Sequence, residues 1–535
     1  MNKLILTTSF LLVAVFTVAY LYFSNISAGT RNIDQALSLI PGDASLIFEI
    51  KNDRGVYEIF SDYQLFSDLV GKTKQKKISE LKSLLMATNR TLKDTEGQNI
   101  FLSFHPGADS VDLLWIMPLP SSIKADELRQ SLLQHKNTAF RANGSSDTSI
   151  SEISIKSINR TFFIHLNPSF LVGSYSREIL AKALNSKTAK ISGEMVAEIN
   201  RANIQNQNSP ATVFINFKSS ISYFSNFFKS KVNGNFSLLN NFHALSTLNM
   251  NFKSDAMIFN GITNPDTARQ NYLNLFLKQT PVRNPIKRLL PNNTANFISY
   301  GLSDYAGFHR DLQELLVKRN DFDKINSVLS QIRNETGIDP DRDLKKLWSN
   351  EFVTFQLSTQ EKFGAIQLSN GRQLQFFTEP LSSAYSDDIR HLNYPGLFYY
   401  YFGDGMKQFN KPFYTIIDNQ MILSNSAGSL QRYLTRYSRN PLFENEDFIH
   451  FEQLVADQSN ISIFIHNKNS ASNIRSLLKP EYAGNFRSEE FGFKNFYGLS
   501  YQLSSGGDHF FSNFYAGYNK GLIVSDEEQD PETTE

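Results

Sequence analysis

Ser209–Ser220 reads SPATVFINFKSS, and 250 positions further on Ser459–Ser470 reads SNISIFIHNKNS. Ser, Phe, Ile, Lys and Ser coincide at five of these twelve positions. At residue frequencies of about 5–10%, chance supplies about one match. The same offset holds elsewhere. Leu39-Ile40-Pro41 returns as Leu289-Leu290-Pro291, and each precedes an apolar run, Leu46–Ile50 and Phe297–Leu302. Ser174 and Ser176 return as Ser424 and Ser426, with Leu180 matching Leu430. Phe101–Phe104 matches Phe352–Phe355 at an offset of 251. A nearly constant offset along the chain is the mark of an internal repeat.

Working outward, strands are expected at 45–51, 100–105, 111–118, 161–166, 169–175, 211–217, 245–253 and 256–263. They recur at 296–302, 351–357, 363–369, 412–417, 420–425, 460–466, 495–504 and 508–516. Asn167-Pro168 and Asp418-Asn419 sit between apolar runs and suit hairpin turns. Helical spacing is visible at Asp126–His135, Ser176–Leu184 and Ser426–Leu434, with Ser176 and Ser426 as N-caps. Short turns between strands argue for antiparallel sheets with helices packed on them. The fold expected is therefore α+β, a tandem duplication of an antiparallel-sheet unit. Repeat 1 covers 37–272, a linker 273–288, and repeat 2 covers 289–520.

Before the repeats, Leu4–Phe23 reads LILTTSFLLVAVFTVAYLYF without a charge. Twenty residues at about 1.5 Å each span about 30 Å, the hydrocarbon thickness of a bilayer. A cleaved leader is the rival reading, but its apolar region should be shorter, and Ile26-Ser27-Ala28 places a bulky residue at the first small position. A transmembrane anchor is expected, with residues 1–3 cytoplasmic, Lys3 preceding the span and the remainder extracytoplasmic, in the periplasm of a bacterium. Residues 24–36 link anchor to body. Residues 521–535, rich in Asp and Glu, form an acidic tail expected to be disordered.

Composition excludes several functions. No cysteine is present, so disulfides, thiolate metal sites, lipoprotein processing and a cysteine nucleophile are ruled out. The 53 basic and 52 acidic residues nearly cancel, leaving no field to gather nucleic acid. Hydrophobic residues at 41% suffice for a sizeable core, and 45 Phe with 22 Tyr point to abundant sheet.

The motif-like stretches have plainer readings. Gly71-Lys72-Thr73 ends like a phosphate loop, but Phe66 stands where the first glycine belongs. Asp339-Pro340-Asp341-Arg342-Asp343 opens like a calcium loop, but Leu344 and Asn350 occupy the glycine and glutamate positions. Asp339 is better read as a helix cap with Pro340 at the first helical position. Gly403-Asp404-Gly405 and Gly506-Gly507-Asp508 read as turns. Leu397–Phe402 and Phe510–Tyr515 read as buried sheet. The nine histidines (105, 135, 165, 243, 309, 391, 450, 466 and 509) show no local metal spacing. No catalytic, cofactor-binding or metal residue is assigned, and no cofactor is expected.

At Gly337–Leu344 through Trp348 and Phe352, the chain resembles a family of uncharacterised, membrane-anchored bacterial envelope proteins. That family carries a domain of unknown function that opens with Leu-Pro-x-Asp/Asn-Ala after an N-terminal membrane helix. Ile40-Pro41-Gly42-Asp43-Ala44 matches this opening, and Leu290-Pro291-Asn292-Asn293-Thr294-Ala295 matches it with one inserted residue. Leu92–Glu96 departs from the family in the Gly-Ile-Asp region. The resemblance implies anchoring and extracytoplasmic placement, and it brings no catalytic residues. The function expected is a membrane-anchored binding or scaffolding protein of the cell envelope, with an envelope protein, lipid or glycan as partner. The alternatives are an envelope hydrolase with a site assembled between the repeats and a lipid-binding carrier.

Overall fold

The computed structural model describes residues 33–51, 99–106, 111–120, 138–142, 150–205, 209–220, 227–230, 242–253, 255–484 and 492–519, with scattered positions in 68–80 and 124–130 and at 490. The expected anchor Leu4–Phe23, most of the 24–36 connector, most of Asp126–His135 and the acidic tail lie outside these residues. Among the described residues no helix is long and apolar enough to cross a membrane. The fold is α+β, with extensive antiparallel sheet and packed helices. Two compact units divide it, Met1–Asp62 with Gln75–Thr212, and Tyr63–Lys74 with Val213–Glu535. The division falls inside strand β8, Ala211–Asn216.

The first unit holds β1 (Leu46–Lys51), β2 (Asn99–Pro106), β3 (Val111–Pro118), β4 (Thr138–Ala142), β5 (Ile150–Ile155), β6 (Arg160–Leu166) and β7 (Phe170–Ser174). They pair antiparallel in the order β4-β5-β6-β7-β3-β2-β1. The β6–β7 turn is closed by Asn167, whose side-chain oxygen accepts from Ser169 N and Phe170 N, both at 2.9 Å. Alternation along β2 sends Ile100 and Leu102 to one core with Trp115, Met117, Phe162 and Leu171. Helix α1 (Arg177–Leu184) buries Ile179 and Leu180 against β3, β6 and β7. Helix α2 (Gly193–Gln205) follows it.

The second unit contains β9 (Ala244–Lys253), β10 (Ala256–Pro265), β11 (Thr294–Gly301), β12 (Trp348–Leu357), β13 (Lys362–Leu368), β14 (Ser382–Ala384) and β15 (Arg390–Leu392). It continues through β16 (Phe413–Ile417), β17 (Gln420–Ser424), β18 (Ile461–His466), β19 (Phe496–Ser505) and β20 (Phe510–Tyr518). Their order is β14-β15-β16-β17-β13-β12-β11-β18-β19-β20-β10-β9, antiparallel throughout. Helices α3 (Tyr305–Lys318) and α4 (Phe322–Thr336) lie between β11 and β12 in sequence. Tyr300, Phe352 and Leu423 face one core with Phe308 and Leu312 of α3. Their strand neighbours Phe297, Val353, Phe355 and Ile422 face another, with Leu430 and Tyr433 of α7 (Ala427–Thr435). Period-two alternation thus supplies two cores from one sheet. Before α7 come α5 (Gly371–Thr378) and α6 (Leu397–Phe402), and α8 (Glu446–Glu452) and α9 (Asn467–Leu477) complete the set used below.

Several stretches differ from expectation. Leu397–Phe402, expected as buried sheet, is helix α6, with all six residues buried. Its surroundings override strand propensity. Gly396 enters at φ +75° and Gly403 leaves at φ +64°, so the run turns on itself. The phenols find acceptors: Tyr401 donates to Pro340 O at 2.9 Å, Tyr400 to Asp341 Oδ1 at 2.6 Å and Tyr399 to Asp321 Oδ2 at 2.9 Å. Phe510–Tyr515 is a strand, but it leaves Phe511 53% exposed. Residues 272–289, which include the expected linker, pack as short 3-10 turns with Leu273, Phe276 and Ile286 buried. At Pro340–Leu344 the expected helix start is a single π-helical turn, and Asp339 caps it by accepting from Asp341 N and Arg342 N. Strands β4, β5, β14 and β15 add to those expected. The three-residue pair Ser382–Ala384 and Arg390–Leu392 has no apolar alternation to announce it.

Candidate functional site

Strand β2 places Phe101, Ser103 and His105 on one face of the first unit's sheet, because residues two apart in a strand share a face. Ser103 Oγ lies 2.9 Å from His105 Nε2, and His105 Nδ1 lies 2.6 Å from Asp43 Oδ1. Asp43 belongs to the turn after Ile40. That turn is set by Ala44 N donating to Pro41 O at 3.1 Å and by Gly42 N donating to Ala189 O at 2.8 Å. The hydrogen bond from His105 holds the Asp43 carboxyl below its ordinary range, against the opposing effect of partial burial, and the Lys182 ammonium adds to it. An ionised Asp43 puts the imidazole proton on Nδ1, which leaves Nε2 to accept from the Ser103 hydroxyl. A hydroxyl, a base and a carboxylate that orients the base are the parts of a serine nucleophile.

The chemistry stops at access. Ser103 and His105 are both 0% exposed, so no scissile carbonyl reaches the hydroxyl. Only Asp43 meets solvent, with 41% of its side chain exposed. The relay ties the chain entering β1 to the interior strand β2. Positions 250 and 251 residues further on carry the uncharged Asn293, Thr354 and Gln356. Ser358 N donates to Asn293 O at 2.9 Å, and Asn296 Nδ2 to Gln356 Oε1 at 3.4 Å.

Several of the other described histidines have structural surroundings of their own. His309 on α3 is buried among the rings of Tyr305, Tyr400 and Tyr401. Burial, with a contribution from Lys345, pushes it down to about 3. His466 accepts from Asn469 N at 3.2 Å and so caps α9; burial pushes it down to about 4. His391 packs on Phe413, and His509 pairs with Asp508 at 2.6 Å. Among the described residues no group of three His, Asp or Glu side chains is placed to hold a metal ion. Gly71 adopts φ +94°, Lys72 N donates to Glu490 O, and Thr73 N and Oγ1 donate to the Glu490 carboxylate, so this triplet makes a contact distant in sequence. Gly403–Gly405 is a 3-10 turn.

Sequence reasoning does not single out Ser103 and Asp43. The i, i+2 spacing of Ser103 and His105 on a strand is a readable signal. Asp43, 62 positions before His105, is joined to them only by the pairing of β1 with β2.

No family model matches this chain, and no curated protein matches it. Among solved structures it is similar to crystal form III of TP0453, at 9% identity and a TM-score of 0.26, over 46% of this chain and 88% of that one. Crystal form I of TP0453 gives 9% identity and a TM-score of 0.23, over 46% and 87%.

Proposed function

We propose that the chain is a membrane-tethered extracytoplasmic protein of the cell envelope that binds or scaffolds other envelope components, and that it is built from two tandem copies of one α+β unit. The observation that carries the non-enzymatic reading is the complete burial of Ser103 and His105. The tether rests on Leu4–Phe23, and the family placement on the Ile40–Ala44 and Leu290–Ala295 openings.

The duplication has independent support. The order β4-β5-β6-β7-β3-β2-β1 recurs as β14-β15-β16-β17-β13-β12-β11. Small hydrogen bonds recur with it. Ser174 Oγ donates to Leu113 O at 2.7 Å and Ser424 Oγ to Lys362 O at 3.0 Å, at the head of α1 and α7. Ile191 N donates to Ile40 O as Leu442 N donates to Leu290 O. The last strands of the two copies meet in the β10–β20 ladder. Aligning Asp255 with Asp508 makes Asn260 the counterpart of Asn513, and these two residues face each other.

The hydrolase reading keeps one observation in its favour, the Ser103–His105–Asp43 geometry. Fluorophosphonate treatment of the detergent-solubilised full chain, followed by peptide mass spectrometry, separates the two. No adduct on Ser103 is expected, and a Ser103→Ala chain should match the wild type on p-nitrophenyl esters. An adduct on Ser103 would overturn the non-enzymatic reading. Cell fractionation tests the tether: the full-length chain belongs in the membrane pellet, and a soluble product beginning near residue 29 refutes it.

A further inference from the structure

We infer that the open sheet face across β9, β10 and β20 binds a neutral glycan, a chain of pyranose rings with free hydroxyls. This rests on the proposed role in binding envelope components and names the chemical class. Four amide side chains cross the sheet in one row. Asn249 stands opposite Asn260, Asn260 opposite Asn513, and Asn513 opposite Gln502 on β19. Residues directly opposite in an antiparallel pair project from the same face. One end of the row is covered. Gln502 is fully buried and closed on Ala456, donating to its O at 2.8 Å and accepting from its N at 2.9 Å. Asn249, Asn260 and Asn513 are half-buried, and Asn260 Oδ1 finds no partner, so this amide is not closed on the fold as Gln502 is. Two residues before Asn513, on the same face, Phe511 is 53% exposed. Its ring is propped edge-on by His509 at 4.9 Å. Gly506 leaves room for this pair, since a Cβ there would lie 2.7 Å from His509 Nε2 and 3.1 Å from Phe511 Cε2. A lone exposed ring is ordinary; here it continues a row of amides.

The reverse face pins the platform. Ser246, Thr263, Tyr501 and Ser512, one from each of β9, β10, β19 and β20, bring their hydroxyls together. Thr263 Oγ1 lies 2.6 Å from Ser512 Oγ and 2.9 Å from the Tyr501 hydroxyl, with Ser246 Oγ beside it. The four strands are thus set before a ligand arrives, and little ordering cost falls on binding. The chemistry of the open face then selects its occupant. Residues 245–251, 258–264, 498–504 and 511–517 contain no Asp, Glu, Lys or Arg, so a phosphate, carboxylate or ammonium finds no partner in them. An acyl chain would bury the amides against hydrocarbon without hydrogen bonds, which is unfavourable. An extended peptide is held through the backbone of a free sheet edge; on this face the backbone is spent in the ladders, and side chains alone are offered. A sugar meets both features. Amides donate and accept, as hydroxyls do, while the C–H face of a pyranose lies on the Phe511 ring. Neighbouring strands repeat at about 4.8 Å, close to the length of one pyranose unit, so successive rings follow the row.

Saturation-transfer NMR or calorimetry on the full chain, held in a detergent without a sugar headgroup, tests this with maltotriose, cellotriose, triacetylchitotriose, sorbitol and acetyl-trialanine amide. At least one trisaccharide should bind with a Kd of about 0.1–1 mM, as a shallow site allows. Sorbitol, which has the hydroxyls without a ring face, should bind about tenfold more weakly. Phe511→Ala should weaken trisaccharide binding about tenfold, and Asn513→Ala about threefold. Phe511→Tyr keeps the ring face and should restore binding, which separates lost affinity from lost fold. Phe376→Ala, at a 71% exposed ring on α5, should change nothing. No binding by any trisaccharide, equal binding of sorbitol, preference for the peptide, indifference to Phe511→Ala, or an equal loss in Phe376→Ala would each overturn the inference. Fractionation and Ser103 labelling are read out separately. A failure here leaves the tether and the non-enzymatic reading standing, and a Ser103 adduct would strike that reading without altering this titration.

Discussion

His309 enters the core of the second unit as a neutral ring, and that sets a pH dependence. In the unfolded chain it titrates near its ordinary value of about 6.5. In the fold burial lowers it to about 3, and His466 to about 4. Below pH 6.5 the unfolded chain therefore binds protons that the folded chain refuses. Stability is fully present above that pH and falls as pH drops toward 3, by about 1.4 kcal/mol for each unit separating the two values. His309→Phe should flatten this acid limb in thermal scans from pH 7 to pH 4, and an unchanged limb in that variant would place the dependence elsewhere. The relay residues give a second prediction. His105→Ala removes a buried ring and strands the Ser103 hydroxyl, so a loss of about 2–4 kcal/mol in denaturant unfolding is expected. Ser103→Ala should cost about 1 kcal/mol. A loss after His105→Ala no larger than that of Ser103→Ala would show that the relay does not hold the turn. At this scale the sequence is poorly legible. His105 is one histidine of nine, and its partners lie two residues and 62 residues away.

Elements are more legible, and the misses have a common cause. Strands with β-branched or aromatic alternation, such as Ile461–His466, announce themselves. Ser176 and Ser426 are readable caps, and each accepts from the backbone three residues on, Ile179 N and Ser429 N. The run Leu397–Phe402 misleads because its residues favour strands while its partners sit all round it. A helix within a core buries every side, and an aromatic strand would leave half its rings elsewhere. Tyr401 gauges this. Tyr401→Phe keeps the ring and loses the bond to Pro340 O, for an expected cost of about 1 kcal/mol. Tyr401→Ala should cost about 3–5 kcal/mol by opening a cavity against Trp348 and His309. Similar costs for the two variants, measured in urea, would place the energy in the hydroxyl instead of the packing.

For the whole molecule, the α+β class and the near-constant 250-residue offset are legible because a pairing order is carried by many residues at once. The join between the proposed copies is not, because the β10–β20 contact depends on where each last strand ends up. That contact can be tested in a chain with no cysteine of its own. Asn260 and Asn513 stand directly opposite, and such pairs lie about 4.5–5.5 Å apart at Cβ, within small adjustments of a disulfide. An Asn260→Cys/Asn513→Cys chain should form an internal crosslink on mild oxidation, seen as a mobility shift on a non-reducing gel. A Phe259→Cys/Asn513→Cys chain, displaced by one residue to the opposite face, should not.

The Asp43–His105 bond also sets a leash. Ala36 and Leu37 are fully buried, and helical backbone is in place from Ile33. From Phe23 only residues 24–32 remain to bridge the gap, and at about 3.6 Å per residue they reach about 30 Å at full stretch. If Leu4–Phe23 sits in a bilayer, the buried Ala36 stands no farther from the membrane surface than that reach, and whatever the neighbouring turn meets must come close to the membrane to be met.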